Sequence, residues 1–247
     1  MTDKTDLFAA LHVPGKPLTL YNIWDAGSAV AVEQAGASAL ATGSWGVAGA
    51  HGFKDGEDFP LELAIANLCH IVRVTELPVT IDLEAGYGET PEAVKLTVQT
   101  AADAGAAGIN LEDKDPKTRQ LFSIAHTTAR IAAAAATGLF VNARTDVFIL
   151  TLPEAHDRTV LDSVLERARA YADAGAGGLF VPYLTDETLI ARLCERSPLP
   201  VNILIHPDGP GHDRLAELGV ARISHGHGPW AATMDWLTTQ ARAVYDR

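Results

Sequence analysis

The chain has 247 residues, 47% hydrophobic and 20% charged, which is enough to bury one large core, and no uninterrupted apolar run reaches the roughly 18 residues of a membrane-spanning helix. Its formal net charge of −12 disfavours nucleic acid and anionic membranes, which demand basic patches, and leaves a small acidic ligand open. The opening Met1-Thr2-Asp3-Lys4-Thr5-Asp6 lacks a basic-then-apolar signal layout, and Cys69 and Cys194 show no CxxC spacing, so a cytoplasmic protein with two ordinary core thiols is expected.

From Leu18 onward, short β-like runs alternate with Ala-rich helical ones. The strand-like runs are Leu18 to Ile23, Ala37 to Thr42, Pro78 to Leu83, Ala107 to Leu111, Leu139 to Ala143, Gly178 to Val181, Pro200 to Ile205 and Ala221 to Ser224. Helical segments are expected near 26–36, 60–76, 91–104, 123–137, 157–174, 185–196, 212–218 and 230–245. Thr90-Pro91-Glu92 and Thr185-Asp186-Glu187 carry the marks of helix starts, and Gly36, Gly105 and Gly175 stand where helices should stop. A phrase of the form Ala-Asp-Ala-Gly-Ala at 102–106 and 172–176, echoed by Glu33-Gln34-Ala35-Gly36-Ala37, ends a helix and opens a strand each time. Eight β/α units in this length predict a single (β/α)8 barrel over residues 1–247, with a short N-terminal extension and a C-terminal helix. No GxGxxG or GxxxxGK[ST] turn follows the first strand, which weighs against dinucleotide and P-loop folds.

In such a barrel the chemistry sits at the carboxyl ends of the strands, and there polar residues break the apolar runs. Alternate positions offer Asn22 and Trp24, Asp82 and Glu84, Asn110 and Glu112, Asn142 and Arg144, and Asn202 and His206. Asp82, Glu84 and Glu112, from adjacent strands, would converge as an all-oxygen set suited to Mg2+ (or Mn2+). Arg144 faces them as a fixed fork for a carboxylate, and Asn202 joins the substrate-binding candidates. A divalent ion with one arginine suits a small keto acid and enolate chemistry.

Asp82-Leu83-Glu84-Ala85-Gly86-Tyr87-Gly88, Asn110-Leu111-Glu112-Asp113-Lys114 and Asn142-Ala143-Arg144-Thr145-Asp146 resemble, in order and spacing, motifs of the isocitrate lyase and phosphoenolpyruvate mutase superfamily. Thr42-Gly43-Ser44-Trp45-Gly46-Val47 is similar to its substrate-binding turn, and Gly52-Phe53-Lys54-Asp55-Gly56 to the acidic loop beside it. The resemblance implies a (β/α)8 barrel, a Mg2+ ion held by Asp82, Glu84 and Glu112, and cleavage or formation of a C–C or C–P bond next to a keto acid through a metal-stabilised enolate. By position, Ser44, Trp45, Gly46 and Arg144 would hold substrate oxygens, and Asp55 would lie near the reacting group. A homo-oligomer, dimer or tetramer, in which the C-terminal helix is exchanged is also implied.

Two departures shape the expected function. The family commonly has Asp where this chain has Glu84, and the Lys-Lys-Cys-Gly-His loop of its lyases is replaced by Lys114-Asp115-Pro116-Lys117-Thr118-Arg119-Gln120-Leu121, without the cysteine that donates a proton. The expectation is therefore a Mg2+-dependent lyase or decarboxylase acting on a small 2-keto or 2-hydroxy carboxylate such as oxaloacetate. A phosphoenolpyruvate mutase or phosphonopyruvate hydrolase type of C–P enzyme and a non-catalytic keto acid binder are the alternatives. Lys117, Arg119, Tyr87, His206, His225 and His227 are candidate proton donors, and Ser224-His225-Gly226-His227-Gly228 reads as a glycine-rich turn in preference to a metal pair.

Overall fold

A computed structural model describes residues 3–245. Helix α1 (Lys4–Ala10) precedes strand β1 (Leu18–Leu20), and the chain then alternates: α2 (Ala26–Gln34), β2 (Leu40–Ala41), α3 (Ser44–Ala50), α4 (Leu61–Val72), β3 (Val79–Asp82), α5 (Pro91–Asp103) and β4 (Gly108–Glu112). The second half runs α6 (Ile124–Ala135), β5 (Phe140–Arg144), α7 (Val147–Leu150), α8 (Arg158–Asp173), β6 (Gly178–Val181), α9 (Glu187–Arg196), β7 (Val201–Leu204), α10 (His212–Glu217), β8 (Arg222–Ser224) and α11 (Gly228–Tyr245). All eight strands are parallel in the order β1-β8-β7-β6-β5-β4-β3-β2, and an Ile23–Thr42 bridge joins β1 to β2 and closes the barrel. The expected (β/α)8 barrel is the fold.

Local chemistry accounts for the element ends. Thr90 accepts from the Ala93 amide with Pro91 in the first turn, Asp186 accepts from Leu189, and Asp25 forms a reciprocal capping box with Ser28. Gly36, Gly105 and Gly175, each two residues past the last residue of a helix, adopt the left-handed conformation at φ 97°, 95° and 95° that halts it at little steric cost. Between strands and outer helices lies the main apolar core, with Leu68, Ile71, Val94, Ile131, Leu165 and Leu193 packed against the outward faces of the strands.

The inward faces divide the barrel in two. At the amino-terminal end Leu18, Leu20, Ala39, Ala41 and Phe140 pack around Phe8, so α1 is a plug, where only an extension was expected. Its Asp3 cap supports the helix. A Cβ on Gly108 would come 3.0 Å from the Phe8 ring and 2.9 Å from the Phe140 carbonyl, so only glycine admits the Phe8 ring here. Above this plug the inward residues become polar: Thr80, Asn110, Asn142, Asn202 and Arg222 are all buried. The two cysteines are free, and contrary to expectation Cys69 is exposed on α4, whereas Cys194 is partly buried with its thiol pushed up to about 12 by burial.

Candidate active site

A cavity of about 240 Å³ opens at the carboxyl ends of the strands, with Asp82, Asp55, Lys114, Arg119 and Arg144 among its lining groups. Among the described residues five that are not glycine, Glu57, Glu84, Tyr87, Arg119 and Tyr183, adopt positive φ between 50° and 63°, and all lie on loops around this mouth. Held strain of this kind gathers at functional sites.

Asp82 ends β3 and projects into the barrel beside Asn110, its register partner on β4. It accepts from the Ser44 amide at 3.3 Å and the Glu84 amide at 3.2 Å. Burial raises its pKa against the pull of Arg144, with Asp55 adding to the rise. Glu84 turns aside: the Gly56 and Glu57 amides donate to its Oε2 at 2.6 and 2.9 Å, and the Tyr87 hydroxyl to Oε1 at 3.3 Å. Burial first, then Asp55, Asp82 and Glu112, push its pKa to about 8. Glu84 thereby fastens the acidic loop over β3.

Glu112 lies 3.2 Å from Arg144 Nη2 and 3.3 Å from Lys114 Nζ, close enough for ion pairs but misaligned, because its buried Oε2 makes no true hydrogen bond. Burial pushes it up to about 7 although Arg144 opposes this. Arg144 spends two nitrogens on Asp146, Nε at 2.6 Å and Nη2 at 3.0 Å, leaving Nη1 without a hydrogen bond among the described residues. Burial alone would raise Asp146, yet Arg144 and Lys114 outweigh it and hold the carboxylate low. Lys114, which also bonds Asp146, is held protonated by Glu112 and Asp146 in spite of burial. With Glu112 favouring the charged guanidinium against burial, Asp146 fixes the position of Arg144 and Lys114 braces Asp146 in turn. Neither Asp146 nor Lys114 was singled out beforehand, although both stand in the motifs quoted for Arg144 and Glu112.

Several expected site residues go elsewhere. Lys117 is 76% exposed, pairs with Glu89 at 2.7 Å and borders a separate cavity with Arg130 and His126, because Asp115 caps the turn that sends it outward. From the same loop it is Arg119 that reaches the central cavity. Asn202 is buried below the cavity, accepting from Ser224 Oγ at 3.2 Å. Gly46 lies inside α3, where a Cβ would come 3.1 Å from that of Trp230, so its smallness serves packing with α11. Ser44, Trp45 and Asp55 do line the cavity. His225 and His227 diverge: His225 Nε2 faces His212 Nε2 at 3.1 Å, while His227 stacks on Trp45 at 4.5 Å and lines the cavity.

The three acids expected to converge do not form a cage, and among the described residues no three His, Cys, Asp or Glu side chains gather as a ready metal site. Of Asp82, Glu84 and Glu112 only Asp82 lines the cavity, joined there by Asp55. That arrangement fits a hard cation that keeps most of its waters and takes one or two carboxylates directly, which is the habit of Mg2+. The raised pKa values of the buried acids carry the same sense, since a cation would relieve their burial as anions.

Residues 8–245 match the phosphoenolpyruvate phosphomutase family. The crystal structure of a candidate phosphonomutase from Burkholderia cenocepacia J2315 is 50% identical, covers 97% of this chain and 98% of its own, and superposes with a TM-score of 0.95. An uncharacterised protein of Mycobacterium tuberculosis (strain H37Rv) is 37% identical over 97% of this chain and 89% of its own length. The 2-methylisocitrate lyase of Salmonella typhimurium is 29% identical over 78% of this chain and 70% of its own. With these matches and the barrel-mouth acids and arginine in place, the chain belongs to the phosphoenolpyruvate mutase and isocitrate lyase superfamily.

Proposed function

We propose that the protein is a Mg2+-dependent carbon–carbon lyase or decarboxylase for a small 2-keto or 2-hydroxy dicarboxylate of the oxaloacetate type. The observation that carries this reading is the pairing, across one 240 Å³ cavity, of the partly buried Asp82 with the Arg144–Asp146–Lys114 cluster. Asp82 would hold the ion directly, with Glu84 and Glu112 acting through its waters; the ion, when bound, supplies positive charge to a carbonyl and its neighbouring carboxylate.

Arg144 donates Nη1 to a substrate carboxylate, while Asp146 and Glu112 keep the fork rigid so that little orientation is lost on binding. Lys114 adds a second fixed positive charge beside it. Among the proton-donor candidates, Arg119 and His227 line the cavity, and a guanidinium does not give up its proton. His227, braced against Trp45 and reprotonated from solvent, donates a proton to the enolate carbon left by cleavage.

A C–P bond reaction is the second reading, favoured by the 50% identity to the candidate phosphonomutase. A homo-oligomer is part of the proposal, because α11 leaves Trp236 and Leu237 62% and 51% exposed. Purified protein with Mg2+ is to be given oxaloacetate, 2-methylisocitrate and phosphonopyruvate separately, with pyruvate, succinate, phosphate and phosphoenolpyruvate followed. Pyruvate from oxaloacetate supports the lyase; phosphate, or the isomer phosphoenolpyruvate, from phosphonopyruvate alone transfers the reading to C–P chemistry. Binding without turnover on all three would leave a keto acid binder.

A further inference from the structure

Beneath the cavity lies a cation that makes no ion pair among the described residues. Arg222, at the start of β8, is fully buried, yet its only hydrogen bond among the described residues runs from Nη2 to Asn110 Oδ1 at 3.3 Å, while Nε and Nη1 make none. The guanidinium lies over the Phe8 ring at 5.9 Å, between the apolar plug and the polar floor. An unpaired buried cation is costly, so a compensating role is to be looked for in what it touches.

What it touches is a cavity-wall residue. Asn110 lines the central cavity and stands in register with Asp82, so both side chains project inward at the same height. Its Oδ1 accepts from Asn142 Nδ2 at 2.9 Å as well as from Arg222. A guanidinium has donors and no acceptor, so Asn110 must turn its oxygen down to Arg222 and its amide nitrogen the other way. That Nδ2 makes no hydrogen bond among the described residues, nor is it one of the fully buried polar atoms left without a partner. It therefore faces the cavity.

We infer that Asn110 is a substrate-facing hydrogen-bond donor for a carboxylate or enolate oxygen, and that Arg222 is the positioning residue that fixes its amide. The inference rests on the keto acid reading of the cavity. Asp82 and Asn110 then divide the work on adjacent strands: a carboxylate for the cation, and beside it a donor for the substrate oxygen that the cation faces. The positive charge under the floor also offsets Asp82, the carboxylate that acts on Arg222 from above.

The test is calorimetric titration with oxalate in the presence of Mg2+, oxalate being a planar dianion shaped like the enolate of pyruvate, with thermal melts of each metal-free variant. Asn110→Asp gives Arg222 a carboxylate partner but replaces the donor with an acceptor. It should raise the melting temperature and weaken oxalate about 10-fold to 100-fold. Asn110→Ser keeps a hydroxyl donor and should lose less. Arg222→Met should weaken oxalate in the wild-type background and change nothing further in an Asn110→Ser background, where no amide remains to be oriented. If Arg222→Met does not fold, the two Asn110 variants decide. Oxalate affinity unchanged in Asn110→Asp, with the melt raised, overturns the inference and leaves the keto acid reading standing. Wild-type protein that takes up no oxalate with Mg2+ overturns both.

Discussion

The two ends of the barrel solve opposite problems. At the amino-terminal end α1 drives Phe8 between Leu18, Leu20 and Phe140, and the polar group caught there, His12, stacks on Phe140 at 4.4 Å and donates Nδ1–H to the Phe8 carbonyl at 2.8 Å. Burial, with Arg222 adding to it, lowers that imidazole to about 3, so it is neutral in the folded protein. At the carboxyl end Asp82, Glu84 and Glu112 are buried as a group of acids whose pKa values rise. The first end is held by apolar packing although His12 Nε2 is buried without a partner among the described residues, whereas the other carries an electrostatic cost that a ligand can remove. Stability is built into the first and reserved for binding in the second.

If that division is right, variants at the two ends should separate cleanly. The largest effect is expected for Asp82→Asn: Mg2+-dependent turnover should fall by about 1,000-fold or more, while the melt of the metal-free protein stays level or rises, because a buried charge has been removed. Phe8→Ala should do the reverse, costing about 3–5 kcal/mol of stability in denaturant titrations while leaving kcat within about twofold at a temperature where the protein stays folded.

The pH profile of the melt sharpens the contrast further. His12 has a folded pKa of about 3, below its ordinary 6.5, so the unfolded chain binds more protons and stability is lost as pH falls below about 6.5. Glu84 has a folded pKa of about 8, above its ordinary 4.5, so stability present in acid is lost as pH rises from about 4.5 through 8. His12→Phe should flatten only the acid side of the profile, and Mg2+ should restore only the alkaline side. Equal effects of Mg2+ on both sides would break the comparison. The smallest effect is expected for Lys117→Ala, less than about twofold in kcat/KM, since its amine pairs with Glu89 outside the cavity.

The carboxyl end was the more legible of the two in the sequence, and the reason is physical. Period-two apolar runs that end in Asp82, Asn110, Glu112 and Arg144 mark strand and mouth together, because polar residues on a buried face need a purpose. Capping residues and left-handed glycines placed most helix ends within a few residues. The plug was missed because the 17 residues before β1 hold little more than Leu7, Phe8 and Leu11 as an apolar pattern, and the value of Phe8 depends on a hole formed by strands distant in sequence. The Asp146–Arg144 fork and the Lys114 contact lay within quoted motifs, but sequence does not say which carboxylate an arginine chooses. Of Lys117 and Arg119, both candidates for the cavity, only Arg119 reaches it, because the direction of the loop depends on the Asp115 turn and on the Lys114–Leu121 bridge.

The central claim, that the carboxyl end is a divalent cation site for a keto acid, is tested most directly by counting bound Mn2+ by electron paramagnetic resonance, with and without oxalate, in wild-type protein and in Asp82→Asn. One Mn2+ per chain, tightened by oxalate and lost in the variant, is the expected result. Mn2+ uptake that is absent from the wild type, or the same in Asp82→Asn, would contradict it.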